Sequence, residues 1–191
     1  MNSLASIVSV GSWNPAIFTP QWVVDNVFGI PKGESIQINL NEKQMNLTFT
    51  WKDISFIVTD SRLEFKTLVP NEDNLILMDA LFKHLSEILS YTPVSALGYN
   101  YNLSLTPEEA RSIIPWSIES LPTVKDYSPQ SIVLANDVAN GRLSINVRYE
   151  EELIELACNL QFTEYAQLPQ EGTSFDVLKK EIKKIFGYDS K

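Results

Sequence analysis

Hydrophobic residues along the chain fall into two periods, and the switches between them outline the elements. Ile7, Val8 and Val10 predict a first strand over residues 6–13. Thr19-Pro20 reads as a helix N-cap and first helical position, because proline lacks only an amide hydrogen that is unbonded there anyway. The helix predicted from Gln21 stops at Gly29. Period two then takes over. Ile36, Ile38 and Leu40 alternate with Gln37 and Asn39, and Leu47, Phe49 and Trp51 with Asn46, Thr48 and Thr50. Ile54, Phe56 and Val58 follow, then Leu63 and Phe65 against Glu64 and Lys66. Alternation over successive segments joined by short polar turns predicts an antiparallel meander with one wet face.

Period 3.6 returns over residues 71–91, where Met78, Leu81, Phe82, Leu85, Ile88 and Leu89 form one stripe and Asp79, Lys83, Ser86 and Glu87 take the other side. After Thr92-Pro93 the pattern begins again. Leu97, Tyr99, Tyr101, Leu103 and Leu105 alternate with Gly98, Asn100, Asn102 and Ser104 in a long strand. That strand runs into Thr106-Pro107-Glu108-Glu109, a second Thr-Pro helix start with the spacing of a capping box. Residues 115–129 are punctuated by proline and read as loop. Strands return at 132–136 and 143–149, joined by the hairpin signal Asn140-Gly141. A last strand turns Ile154, Leu156, Cys158, Leu160 and Phe162 inward and Glu155, Asn159 and Gln161 outward. Residues 174–186 close the chain as an amphipathic helix. Phe18-Thr19-Pro20 matches Leu105-Thr106-Pro107, and the order strand, Thr-Pro helix, antiparallel strands, long helix occurs twice.

The expected architecture is therefore α+β: an antiparallel sheet backed by helices, in one globular domain (1–191) made of two pseudo-repeats, 4–91 and 94–188. This element order resembles the duplicated fold of the TATA-box-binding protein, whose curved sheet carries helices on its outer side. The resemblance implies an open sheet face and carries no function with it.

Composition narrows the classes. The chain has 191 residues, 44% of them hydrophobic, and a net charge of −9, which suits a soluble globular domain. No apolar run is long enough for a membrane span. Net acidity argues against nucleic acid, since backbone affinity rests on Lys and Arg displacing counterions. A saddle that binds the minor groove needs basic residues and apolar wedges, whereas the face expected here is rich in amides. A lone cysteine and an N-terminus without a basic flank point to the cytoplasm. The triplets at Asn46 and Asn102 lie inside strands and read as chance.

Residues with catalytic potential are few. His84 is the single histidine and reads as a boundary position on the long helix. Cys158, on an inward strand position near Glu152 and Glu155, lacks the positive surroundings of a reactive thiolate. Glu150, Glu151, Glu152 and Glu155 read as a solvated turn and strand start, without the alternating ligands and glycine bend of a calcium loop. Lys179, Lys180, Lys183 and Lys184 read as the wet side of the last helix, favourably placed at its C-terminal end. Glycine-rich phosphate loops and nucleophile elbows are absent. The tryptophans read as core and boundary residues. No cofactor or metal is expected.

One feature departs from the ordinary. Asparagine is depleted in strands, yet the outward positions repeat Asn, Gln, Thr and Ser. Asn39, Thr48, Asn100, Asn102, Asn146 and Gln161 form the candidate binding set. An uncharged, hydrogen-bonding face suits a protein partner or a second copy of the chain, so the expected function is non-enzymatic binding through this face or an edge strand. The alternatives are a small-molecule pocket between sheet and long helix, and an enzyme using scattered carboxylates such as Glu152 and Glu155.

Overall fold

The computed structural model describes residues 2–41, 46–114, 131–138, 140–149, 153–169 and 172–186. Nine strands follow the alternating segments: β1 (Asn2–Gly11), β2 (Gln37–Asn41), β3 (Asn46–Trp51), β4 (Ile54–Val58), β5 (Arg62–Thr67), β6 (Val94–Leu105), β7 (Ser131–Val138), β8 (Gly141–Tyr149) and β9 (Ile154–Phe162). The helices are α1 (Pro20–Trp22), continued by a π-helical turn Val23–Phe28, then α2 (Glu72–Ile88), α3 (Pro107–Ile113) and α4 (Ser174–Phe186). The expected loop at 115–129, the cluster Glu150–Glu152 and Trp116 lie outside the described residues.

All nine strands join one antiparallel sheet in the order β2-β3-β4-β5-β1-β6-β9-β8-β7. The sheet is mixed with helices, so the α+β class is as expected. Outward from the β1–β6 pair, each side meets the last strand of its own half and then runs backwards through that half. The register keeps whole rows in line. One row runs Ile38, Phe49, Phe56, Phe65, Ile7, Tyr99, Leu160, Leu143, Asn136. A one-residue slip in any strand would carry its apolar set to the wrong face.

Helices cover this apolar face. Phe18 and Phe28, flanking α1, pack on Phe56 with ring centroids 5.5 and 6.4 Å away. From α2, Phe82 lies against Phe65 and Tyr99. From α4, Phe175 sits edge-on to Tyr99 at 5.1 Å. Ala110 of α3 and the adjoining Ile114 are buried, beside β6. Trp13 and Trp51 are buried as expected.

Both Thr-Pro starts cap their helices. The Thr19 hydroxyl accepts from the Trp22 amide at 3.3 Å, and Thr106 and Glu109 form a complete capping box. The hydrogen bond from the Thr106 amide holds the Glu109 carboxyl below the usual range. Gly29 ends the first helix with φ 57°, a left-handed position that costs glycine nothing.

Several sequence expectations change: Ile88, expected in the apolar stripe of α2, is exposed, and the strand expected over 6–13 ends at Gly11. The first strand begins at Asn2, because β1 pairs along its whole length with β6. Asp79, assigned to the polar side of α2, is buried. Its carboxylate accepts from the Tyr99 hydroxyl at 2.9 Å and pairs with Lys83 at 2.9 Å, and Lys83 also donates to the Gly172 carbonyl at 3.2 Å. The network ties α2 to β6 and to the chain entering α4. Periodicity alone misses it, because an Asp with two partners can occupy a core position.

Candidate functional site: the open face of the sheet

The described helices all pack on one side of the sheet, so the outward positions of all nine strands form the other side. Two rows cross it completely. The first runs Asn39, Thr48, Ile57, Glu64, Val8, Gly98, Gln161, Arg142, Asp137. The second runs Gln37, Thr50, Ser55, Lys66, Ser6, Asn100, Asn159, Ser144, Ala135. A third row on the β6 side holds Leu4, Asn102, Ala157, Asn146 and Val133.

The candidate set thus shares one face and splits into two groups. Asn39 and Thr48 are cross-strand neighbours near the β2 edge. Asn100, Asn102, Gln161 and Asn146 cluster on β6, β9 and β8. Four strand spacings separate β3 from β6, about 19 Å. No single small site takes in all six residues.

The centre of the face is tied to itself. Asn100 Nδ2 donates to Ser6 Oγ at 3.2 Å, and Asn100 Oδ1 accepts from Asn159 Nδ2 at 2.6 Å. In the same row, toward the β2 edge, Thr50 and Ser55 are bonded at 3.1 Å. Asn102, Gln161 and Asn39 are exposed. Asn146 is half-buried, with an Oδ1 that is covered and accepts no hydrogen bond from a described residue.

Charged residues on this face escaped the amide reading. Arg62, Lys66, Arg142 and Arg148 point outward with Glu64, Asp137 and Glu155. The signal was present in the same alternation: if Leu63 and Phe65 face in, then Arg62, Glu64 and Lys66 face out. Arg62 meets Glu64 at 3.1 Å, whereas Arg142–Asp137 and Arg148–Glu155 are only loosely paired at 4.0 and 3.9 Å. Two hollows mark the face. One of about 550 Å³ lies over Ile57, Arg62, Glu64 and Lys66. Another of about 320 Å³ lies over Val8, Val10, Ala96 and Gly98, walled by Arg62 and Gln161.

Groups with displaced proton affinities lie on the helix-facing side. Burial, then the Asp79 carboxylate, raises Tyr99. Burial raises Tyr165, whose hydroxyl lies 3.5 Å from Ser9 Oγ. Burial pushes the Cys158 thiol up to about 12, which suits a small core residue and not a nucleophile. His84 is exposed on α2. Among the described residues, no three His, Cys, Asp or Glu side chains converge as a metal site, and no helix is long and apolar enough to cross a membrane. The open face therefore offers hydrogen bonds, a few charges and shallow relief, which are means of recognition. No family model matches the chain, and no curated protein matches its sequence.

Proposed function

We propose that this chain is a non-enzymatic binding protein whose open sheet face receives a protein partner. The observation that carries the reading is the placement of Asn39, Thr48, Asn100, Asn102, Asn146 and Gln161 on one unbroken face. That surface is nine strands wide, and the described helices are confined to its reverse. Flat surfaces with many hydrogen-bonding groups and few committed charges suit protein recognition. A second copy of the chain is the competing occupant. We place the protein in the cytoplasm, as its lone buried cysteine allows.

We also infer that residues 4–91 and 94–188 are two copies of one unit. The mirrored strand order about the β1–β6 pair and the two Thr-Pro caps at Thr19 and Thr106 support it. On this reading the face is a pseudo-symmetric saddle.

Capture from host lysate tests the binding proposal when paired with a variant. Asn102→Arg places a long charged side chain on an exposed position and should leave the melting temperature unchanged. A stoichiometric protein held by the natural chain at moderate salt and lost by Asn102→Arg supports the face. A protein retained equally by both places binding elsewhere and overturns it. Concentration-dependent sedimentation that Asn102→Arg abolishes identifies a second copy as the occupant.

A further inference from the structure

We infer that the hollow at the centre of the open face takes an acidic segment of the partner, an apolar side chain seated between two carboxylates. This rests on the proposed use of the open face.

The floor explains the apolar part. Gly98 sits in the interior of a central strand, where glycine loses packing and backbone entropy and often marks close approach by another chain. A Cβ there would come within 2.8 Å of Asn159 Nδ2, so the missing side chain keeps the hollow open. Val8, Val10 and Ala96 supply the rest of the floor, and Val10, near the end of the central strand β1, is 41% exposed. Gln161 stands at the wall with its amide exposed.

The flanks explain the charge. Arg62 lines the hollow from β5, where it is paired with Glu64 at 3.1 Å, a surface pair that a partner carboxylate must share or displace, and Arg142 stands beside Gln161 on β8. Four strand spacings separate them, about 19 Å. An extended five-residue segment carries its end side chains about 13 Å apart, a gap the two arginine side chains make up. The Arg142 ion pair at 4.0 Å, with both partners largely exposed, is worth little and yields readily to a better-placed carboxylate. Across the strand positions of the face, four cations stand against three acids, on a chain whose net charge is −9. The strand positions of the face are thus close to neutral, where the remainder of the molecule carries the chain's negative charge. That contrast favours an acidic partner over a second copy of the same acidic chain.

Three blocked peptides test this on the full-length ¹⁵N-labelled protein: Glu-Gly-Tyr-Gly-Glu, Lys-Gly-Tyr-Gly-Lys and Gln-Gly-Tyr-Gly-Gln. The expected result is amide shifts at Val8, Gly98, Gln161 and Arg142 with the Glu peptide alone, weakening as salt rises. Arg62→Glu and Arg142→Glu should each reduce the affinity about five-fold, and Gly98→Ala should abolish the shifts at Val8. Equal binding of the Lys or Gln peptide overturns the inference and leaves the open-face reading standing. So does the absence of shifts with all three at saturating concentration, because that reading is judged by the capture experiment. Shifts confined to α2 and α4 overturn the inference as well.

Discussion

The same strands present two chemistries, and the contrast separates what holds this molecule together from what it has to offer. On the helix side, the row from Phe49 to Leu160 is almost wholly buried, and its aromatic rings interlock with those of α2 and α4. On the open side, the adjacent rows carry Thr, Ser, Lys, Asn and Gln, bonded to one another at Ser6–Asn100–Asn159 and at Thr50–Ser55. The first side spends its residues on packing. The second keeps exposed amides and loosely held arginines that packing does not require.

The sharpest break of this contrast is Phe56→Ala. Phe56 is fully buried and lies 4.8–6.4 Å from the rings of Phe18, Phe28, Phe49 and Phe65. Its loss should cost about 3–5 kcal/mol in denaturant unfolding, through lost transfer energy and the cavity left behind. A cost below about 1 kcal/mol would mean that the β3–β5 core is not packed as described.

The buried polar network tests the one exception to an apolar helix side. Tyr99→Phe leaves Asp79 with Lys83 alone and should cost about 1–3 kcal/mol. Asp79→Asn weakens the same bond and the ion pair together. The double variant should therefore be less destabilised than the sum, by about 0.5–3 kcal/mol. Strict additivity would separate Tyr99 from Asp79.

How far these features could be read from sequence follows the same division. Period two located β2 to β5 and β9 nearly to the residue, because strands with one dry face must alternate. The edge positions of β1 extended beyond expectation, since pairing with β6 recruits Asn2, Ser3 and Leu4 where local hydrophobicity does not announce a strand. The amides at Asn100, Asn102, Asn146 and Gln161 were legible for the same reason as the core. Their grouping was not, because cross-sheet neighbours such as Gly98 and Gln161 lie more than sixty residues apart in sequence. The Asp79–Tyr99 pair was hidden too: helix periodicity counts a carboxylate as outward, and only the fold supplies the hydroxyl that lets it face inward. The hollow at Gly98 likewise needs the strand order before a missing side chain becomes a feature.

High pH should attack the dry side selectively. Folded Cys158 keeps its proton up to about pH 12, against an ordinary value of 9.0, so the unfolded chain binds fewer protons between those limits. Its contribution is intact below pH 9 and falls as pH rises, by up to about 1.4 kcal/mol per pH unit. Tyr99, also raised, adds to the loss above its ordinary 10.0. Cys158→Ala should flatten the slope of unfolding free energy between pH 9 and 10, whatever it does to stability at pH 7. An unchanged slope would mean that the thiol is reached by solvent.

The smallest effects belong to the open face, and their gradation is informative. Asn100→Ala removes the link between Ser6 and Asn159 and leaves the 2.6 Å bond of the Asn159 amide unmade. The expected cost is about 0.5–1.5 kcal/mol. Asn39→Ala and Asn102→Ala, on exposed positions, should change stability by less than about 0.5 kcal/mol. If Asn102→Ala matched Asn100→Ala in thermal or denaturant unfolding, the outer amides would be structural, and the case for a face kept free for a partner would fail. Near-neutral stability at Asn39 and Asn102, with a clear loss at Asn100, would place the boundary between scaffold and recognition surface within a single strand, between two asparagines two residues apart.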